Sequence, residues 1–386
     1  MRILVLGVGA VGEVIAKHLA GDNNVSLMVA DIDEARLRRI KRTLKRRVET
    51  RKVSQNGFED LVKDADLVIN SATPTINLEL MKACLKHGVN YIDLASDDID
   101  KQLAMDKSWR RKKALALICV GEDPGLSNIY AKYAANKLKR VNSIKIRDGE
   151  FSKSHRYPLV ALFAPEIFFD EILSPSTVFM NGRFKKYPPF SGHEVYEFPD
   201  PIGELPVYYV DHEEVYTLPK FIGKGVRYVD FKLALGDDLI KAVKLFKGIG
   251  LLKSRRMHVK GSSIAPREVL FALMPKPSEV SKYIDGYASL VVEVAGELDG
   301  KNVTFKIYTL MSHATANKML GVNATAYLTG TIPAVIALMI AEGDIEEVGV
   351  RVPEQLNPEP IIERLNDYGI ISYVEESSEE KLISDS

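Results

Sequence analysis

The sequence predicts an α/β protein: a doubly wound parallel sheet followed by a second α+β domain with a mixed sheet. Three observations predict it. The chain opens on an apolar run, Ile3 to Leu6, a glycine-rich turn, Gly7-Val-Gly9-Ala-Val-Gly12, and a helical pattern with Val11, Ile15 and Leu19 on one face. Short apolar segments then alternate with helical ones as far as Gly125, which is the rhythm of parallel strands joined by helices. After Gly125 the rhythm stops, and segments such as Ser143-Ile-Lys-Ile-Arg-Asp alternate polar with apolar residues, as half-buried strands do.

The opening unit has the Rossmann arrangement for holding a dinucleotide. Gly7 turns the chain off the strand, Gly9 lets backbone approach a pyrophosphate, and Gly12 lets helix and strand pack closely. The helix N-terminus offers free N–H groups to the phosphates. A second strand, Val25 to Ala30, ends at Asp31, nineteen residues after Gly12. A carboxylate there accepts hydrogen bonds from the adenosine ribose and repels a 2′-phosphate. NAD is therefore the expected cofactor, with NADP possible. Cofactor contacts are expected at Gly7, Gly9, Ala10, Val11, Gly12, Asp31, Ile32, Asn70, Ser71, Ala72, Thr73 and Asp123.

The basic stretch Arg36 to Lys52 reads as a solvated helix, because Leu37, Ile40, Leu44 and Val48 give it one buried face. Asp66 to Asn70 is a strand that ends in the small-residue loop Ser71-Ala72-Thr73. Asn77 to His87 is a helix closed by Gly88. Val89 to Ala95 and Leu115 to Val120 are further strands, and a helix between them carries Trp109. Two strands, Ala288 to Ala295 and Val303 to Leu310, flank the hairpin signal Asp299-Gly300. The segment from Ala314 onward is expected to be helical and to return to the first domain. The expected division is 1–128 for the dinucleotide domain, 129–315 for a substrate and dimerisation domain, 316–374 for the returning helices and 375–386 for an acidic disordered tail.

Composition narrows the function. Hydrophobic residues make up 46% and charged residues 27% of the chain, the balance of a globular protein with a sizeable core. Lys+Arg and Asp+Glu both number 52, so no global field recruits nucleic acid or an anionic membrane. No secretory segment and no apolar run of bilayer-spanning length is expected, which points to the cytoplasm. Cys84 and Cys119 are the only cysteines, and nothing calls for a disulfide. His87, His155, His193, His258 and His313 show no ligand spacing with cysteines or carboxylates, so no metal is expected.

Three stretches carry a family resemblance: Gly121-Glu-Asp-Pro-Gly-Leu-Ser-Asn128, Asp211-His212-Glu213-Glu214 with Thr217-Leu-Pro219, and the succession Thr329-Gly…Pro333-Ala, Glu342-Gly-Asp344, Val352-Pro-Glu354. They are similar to the saccharopine dehydrogenase family, which includes saccharopine reductases and lysine 6-dehydrogenases. The resemblance implies an NAD(P)-dependent oxidoreductase of lysine metabolism that acts on a C–N bond of a lysine-type amino acid, with saccharopine dehydrogenase or lysine 6-dehydrogenase activity, a small-molecule amino-acid or amine substrate and a homodimer as its expected assembly. The alternatives are an imine-reducing polyamine synthase, similar to carboxynorspermidine synthase, and a non-catalytic dinucleotide sensor. Such chemistry needs a group to handle one proton and carboxylates to hold a cationic amine. His212, with Glu213 beside it, is the first candidate base; Asp123 and Asp97 are the candidate carboxylates.

Overall fold

The computed structural model describes residues 1–54 and 57–379. Six strands open the chain: β1 (Arg2–Leu6), β2 (Ser26–Asp31), β3 (Glu49–Lys52), β4 (Leu67–Asn70), β5 (Asn90–Asp93) and β6 (Leu115–Leu117). They pair in the order β6-β5-β4-β1-β2-β3, and every pairing is parallel. β1 and β4 are almost continuously buried because helices cover both faces. Strand order reverses between β1 and β4, and that reversal opens a crevice beyond their carboxyl ends. The expected helix Asn77–His87 is present and stops at Gly88, whose φ is 72°. The expected strand from Leu115 is shorter than its apolar run: the chain leaves the sheet after Leu117, and Cys119 takes a φ of 64°.

Ten strands follow: β7 (Arg140–Ser154), β8 (Ser176–Met180), β9 (Arg183–Tyr187), β10 (Glu194–Phe198), β11 (Gly203–Tyr209), β12 (Tyr228–Ala234), β13 (Met257–Val259), β14 (Ser262–Ile264), β15 (Ile284–Leu298) and β16 (Lys301–Ser312). The second sheet runs β10-β11-β12-β7-β15-β16, with β8 and β9 attached to β12. It is mixed, as expected: β12 and β7 are parallel and the other pairs antiparallel. Asp299 and Gly300, at φ of 50° and 79°, form the predicted two-residue turn between β15 and β16. Along β7, Ile144 and Ile146 enter the main core, so Asp148 and Glu150, which share their parity, lie on the same face.

The C-terminal part departs from the helical expectation. The helices His313–Leu320, Ala324–Glu342 and Pro358–Asn366 are present. Between and after them lie β17 (Gly349–Arg351), which pairs parallel with β6, and β18 (Tyr373–Glu379), which pairs antiparallel with β16. The first sheet thus has seven strands, the last supplied by the end of the chain. β18 corrects the expectation of a disordered tail from residue 375. The open edge of β16 gives its backbone a partner, Glu375 lies opposite Lys306, and Tyr373 stacks on Tyr308. The rest of that tail, 380–386, lies outside the described residues. A second correction concerns length and apolarity. Ala324–Glu342 has the dimensions of a membrane span, but 83% of its apolar window is buried inside the protein. It packs on the glycine-turn helix Ala10–Leu19, where a Cβ on Gly330 would lie 2.7 Å from Val14 Cβ.

Candidate active site

The glycine turn meets the loop after β4 directly. A Cβ on Gly7, whose φ is 90°, would lie 2.7 Å from Ala72 Cα, and one on Gly12 would lie 2.1 Å from the Gly7 carbonyl oxygen. Ser71 Oγ donates to the Gly7 carbonyl at 2.8 Å. Asn70 Oδ1 accepts the Ala72 N–H, and its Nδ2 donates to Thr73 O and Asn77 Oδ1. Gly9 is different: a Cβ there would meet nothing within 4 Å. The turn is built tightly around Gly7 and Gly12 and left open at Gly9, the cradle a pyrophosphate fits. Ala10 and Val11 begin the helix above it. Asp31 is buried; one carboxylate oxygen accepts the Val8 N–H at 2.7 Å and the other the Asp33 N–H at 2.8 Å, so the acid also fastens the glycine turn to β2. Ile32 is exposed beside it, and Arg36 Nη1 lies 3.7 Å from Asp31.

Across the crevice, the turn Gly121–Gly125 leads from the first sheet into the helix Leu126–Lys137. Gly125, at a φ of 141°, is required: a Cβ would stand 2.0 Å from Gly121 O. Asn128 Oδ1 accepts the Gly125 N–H, while its Nδ2 donates to Thr217 Oγ1 at 3.2 Å and Glu354 Oε2 at 3.0 Å. Ser127 Oγ donates to Glu214 Oε1 at 2.6 Å. The other oxygen of Glu214 faces His212 Nδ1 at 2.6 Å. The His212 ring lies flat on Phe231 of β12, with centroids 3.8 Å apart and planes 9° from parallel.

Carboxyls surround this histidine. Glu213 stands 3.9 Å from Nδ1 and accepts the Ser96 N–H of the first lobe at 2.7 Å. Asp123, Asp148 and Glu150 crowd one another, and Glu171 of the helix Pro165–Leu173 adds a further charge. Burial and mutual repulsion raise Asp123 and Asp148 well above the usual carboxylate range, and burial raises Glu150 and Glu171 to about 7. Burial opposes charge on His212, yet Glu214, Glu213 and Glu171 outweigh it and lift the imidazole to about 10. The acids around His212 thus favour its charged form. The donor atoms of His212, Glu213 and Glu214 lie within 4.8 Å of one another, a spacing that could hold a cation, although Nδ1 is engaged with Glu214.

His212 and Asp123 are both part of this buried cluster, and both act on Asp148. Asp97 is not: it is exposed in the loop after β5, and its neighbour Ser96 makes the contact to Glu213. Asp98 caps the helix Ile99–Leu103. Sequence reasoning passed over Asp148, Glu150, Glu171, Glu214 and Glu354. The parity of Asp148 and Glu150 with Ile144 and Ile146 was available as a signal for the first two. Glu214 was hidden by Glu213, which is closer in sequence but farther in space.

Comparison with known proteins agrees with this geometry. Residues 3–117 match the family model for the saccharopine dehydrogenase NADP binding domain, and residues 121–370 match that for the saccharopine dehydrogenase C-terminal domain. The chain is 29% identical to carboxynorspermidine synthase of Vibrio cholerae and 27% identical to carboxyaminopropylagmatine dehydrogenase of Synechocystis, covering 96% of each protein in both comparisons. Saccharopine dehydrogenase (L-Glu forming) from Saccharomyces cerevisiae has the same fold, with a TM-score of 0.76 over 98% of this chain and all of its own, at 15% identity. The cofactor is a nicotinamide dinucleotide.

Proposed function

We propose, from the premise that this chain belongs to the saccharopine dehydrogenase family, that it is an NAD(P)-dependent oxidoreductase that forms a polyamine-type secondary amine by reducing an imine. The observation that carries this reading is the set of carboxyls around His212. Burial raises all of Asp123, Asp148, Glu150, Glu171 and Glu213, neighbouring acids add to it at Asp123, Asp148, Glu171 and Glu213, and the His212 cation opposes it at Asp148, Glu171 and Glu213. Such a site attracts an amine with more than one positive charge and repels a substrate rich in carboxylates, as saccharopine is. The two relatives named for carboxynorspermidine and carboxyaminopropylagmatine support it. The lysine-type substrate that the family resemblance implies ranks behind.

Gly7, Gly9, Gly12 and the helix start at Ala10 would hold the pyrophosphate, Asp31 the adenosine ribose, and the loop Asn70–Thr73 the nicotinamide side. Bound there, a reduced nicotinamide supplies hydride to the imine carbon. His212 donates through Nε2 a proton to the imine nitrogen, so that the carbon becomes electrophilic and the product is a neutral secondary amine. Asp123 and Asp148 hold the substrate amine beside it, and Glu150 and Glu171 take its remaining charge. Asp31 favours NAD, while Arg36 is the side chain that would meet a 2′-phosphate.

The test follows the absorbance of reduced cofactor in both directions. Carboxynorspermidine should be oxidised with a kcat/KM roughly 100-fold above that for saccharopine or lysine. Equal or better turnover of saccharopine or lysine overturns the polyamine reading. Tight cofactor binding with no turnover of any amine overturns both and leaves a sensor.

A further inference from the structure

We infer that Glu214 is a positioning residue that, clamped by Ser127, fixes the His212 ring through Nδ1 and leaves Nε2 as the working atom. The inference rests on the role given above to His212, but its test does not need the substrate to be known. Glu214 and Ser127 are both fully buried. They begin different helices, Glu214–Phe221 and Leu126–Lys137, on different walls of the crevice. The carboxylate is bidentate: Oε2 takes His212 Nδ1 and Oε1 takes Ser127 Oγ, each at 2.6 Å. With one edge of the imidazole on Glu214 and one face on Phe231, the ring has no free rotation, and Nε2 is unpartnered among the described residues.

Next to Ser127, Asn128 bridges the Gly125 backbone, Thr217 and Glu354, and Glu354 is itself completely buried. Three separated segments therefore meet behind one imidazole: the turn after β6, the helix carrying Glu214, and the short turn Pro353–Gln355 next to β17. A buried ion pair adds little net stability compared with apolar packing. Its value here is to fix which nitrogen carries the exchangeable proton and where that nitrogen points.

The charges that face His212 are Glu214 and Glu213 from its own segment, Glu171 from the helix Pro165–Leu173 and Asp148 from β7; β12 contributes the neutral Phe231. Removing only Glu214 leaves the other three in place. The experiment is a histidine-labelled NMR titration of the full chain, with His212 assigned by its absence in His212→Gln. Wild type should titrate well above the ordinary histidine range. Glu214→Gln should bring that value down by about 2 pH units or more and lower kcat while leaving KM for the cofactor unchanged. Ser127→Ala keeps the carboxylate and should give a smaller fall, and Glu214→Asp should recover part of the shift. A folded Glu214→Gln whose His212 titrates as in wild type overturns the inference, even if its activity is lost. A normal histidine titration in wild type also overturns it. If the titrations behave as stated but His212→Gln retains full activity, the positioning stands and the role of His212 in the reaction fails.

Discussion

Gly9 is the residue at which the glycine turn leaves room instead of filling it. Nothing in the protein needs that room, since a Cβ would meet no atom within 4 Å and the backbone, at φ −74° and ψ −159°, suits any residue. Gly9→Ala should therefore change folding stability by no more than about 0.5 kcal/mol. It should weaken dinucleotide binding by roughly 10-fold or more, because the added methyl occupies the place of a phosphate oxygen. Thermal melting and a fluorescence titration with reduced cofactor separate the two effects; unchanged affinity would put the pyrophosphate elsewhere. At this scale much was legible. The jobs of Gly7, Gly9 and Gly12 follow from local backbone geometry, which a motif encodes. The partner of His212 did not. The adjacent Glu213 looks like the natural one, but the start of a helix turns successive side chains apart, and it is Glu214 that comes within 2.6 Å.

Among the elements, the helix Ala324–Glu342 is the one that backs the glycine-turn helix. It lies against Ala10–Leu19, and Gly330 is a point of close approach: a Cβ would lie 2.9 Å from Val11 O and 2.7 Å from Val14 Cβ. Gly330→Ala should push the helices apart, at a cost of about 1–3 kcal/mol by overpacking. It should also weaken cofactor binding, because Val11 belongs to the turn of helix that meets the phosphates. A variant with wild-type melting and affinity would show that this contact has slack. The strand–helix alternation to Gly125 and the hairpin at Asp299-Gly300 were readable because periodicity and turn chemistry are local. β17 and β18 were not. Each becomes a strand because a sheet distant in sequence offers an edge, and the three residues of β17 carry no period of their own.

For the molecule as a whole, buried acids set the response to pH. Burial raises Asp93, Glu150, Glu171 and Glu354 to about 7 in the folded protein, above their ordinary values. Acids of this kind contribute stability that is present below their unfolded values and is lost as pH rises through about 7. His18 and His313, lowered by burial to about 4, act oppositely: their contribution is present above 6.5 and lost as pH falls toward 4. With more acids raised than histidines lowered, the ligand-free protein should then melt highest on the acid side of neutrality, and its melting temperature should drop between about pH 4 and about pH 7. A polycationic substrate should remove most of that drop. A melting temperature that climbs over the same interval would mean these acids are ionised and compensated before any ligand arrives. The joining of the first sheet by β17 has a consequence for biosynthesis. The seventh strand of the first lobe cannot join until residues 349–351 have emerged from the ribosome, and a chain cut short before Gly349 would expose the flank of β6 as a sticky border.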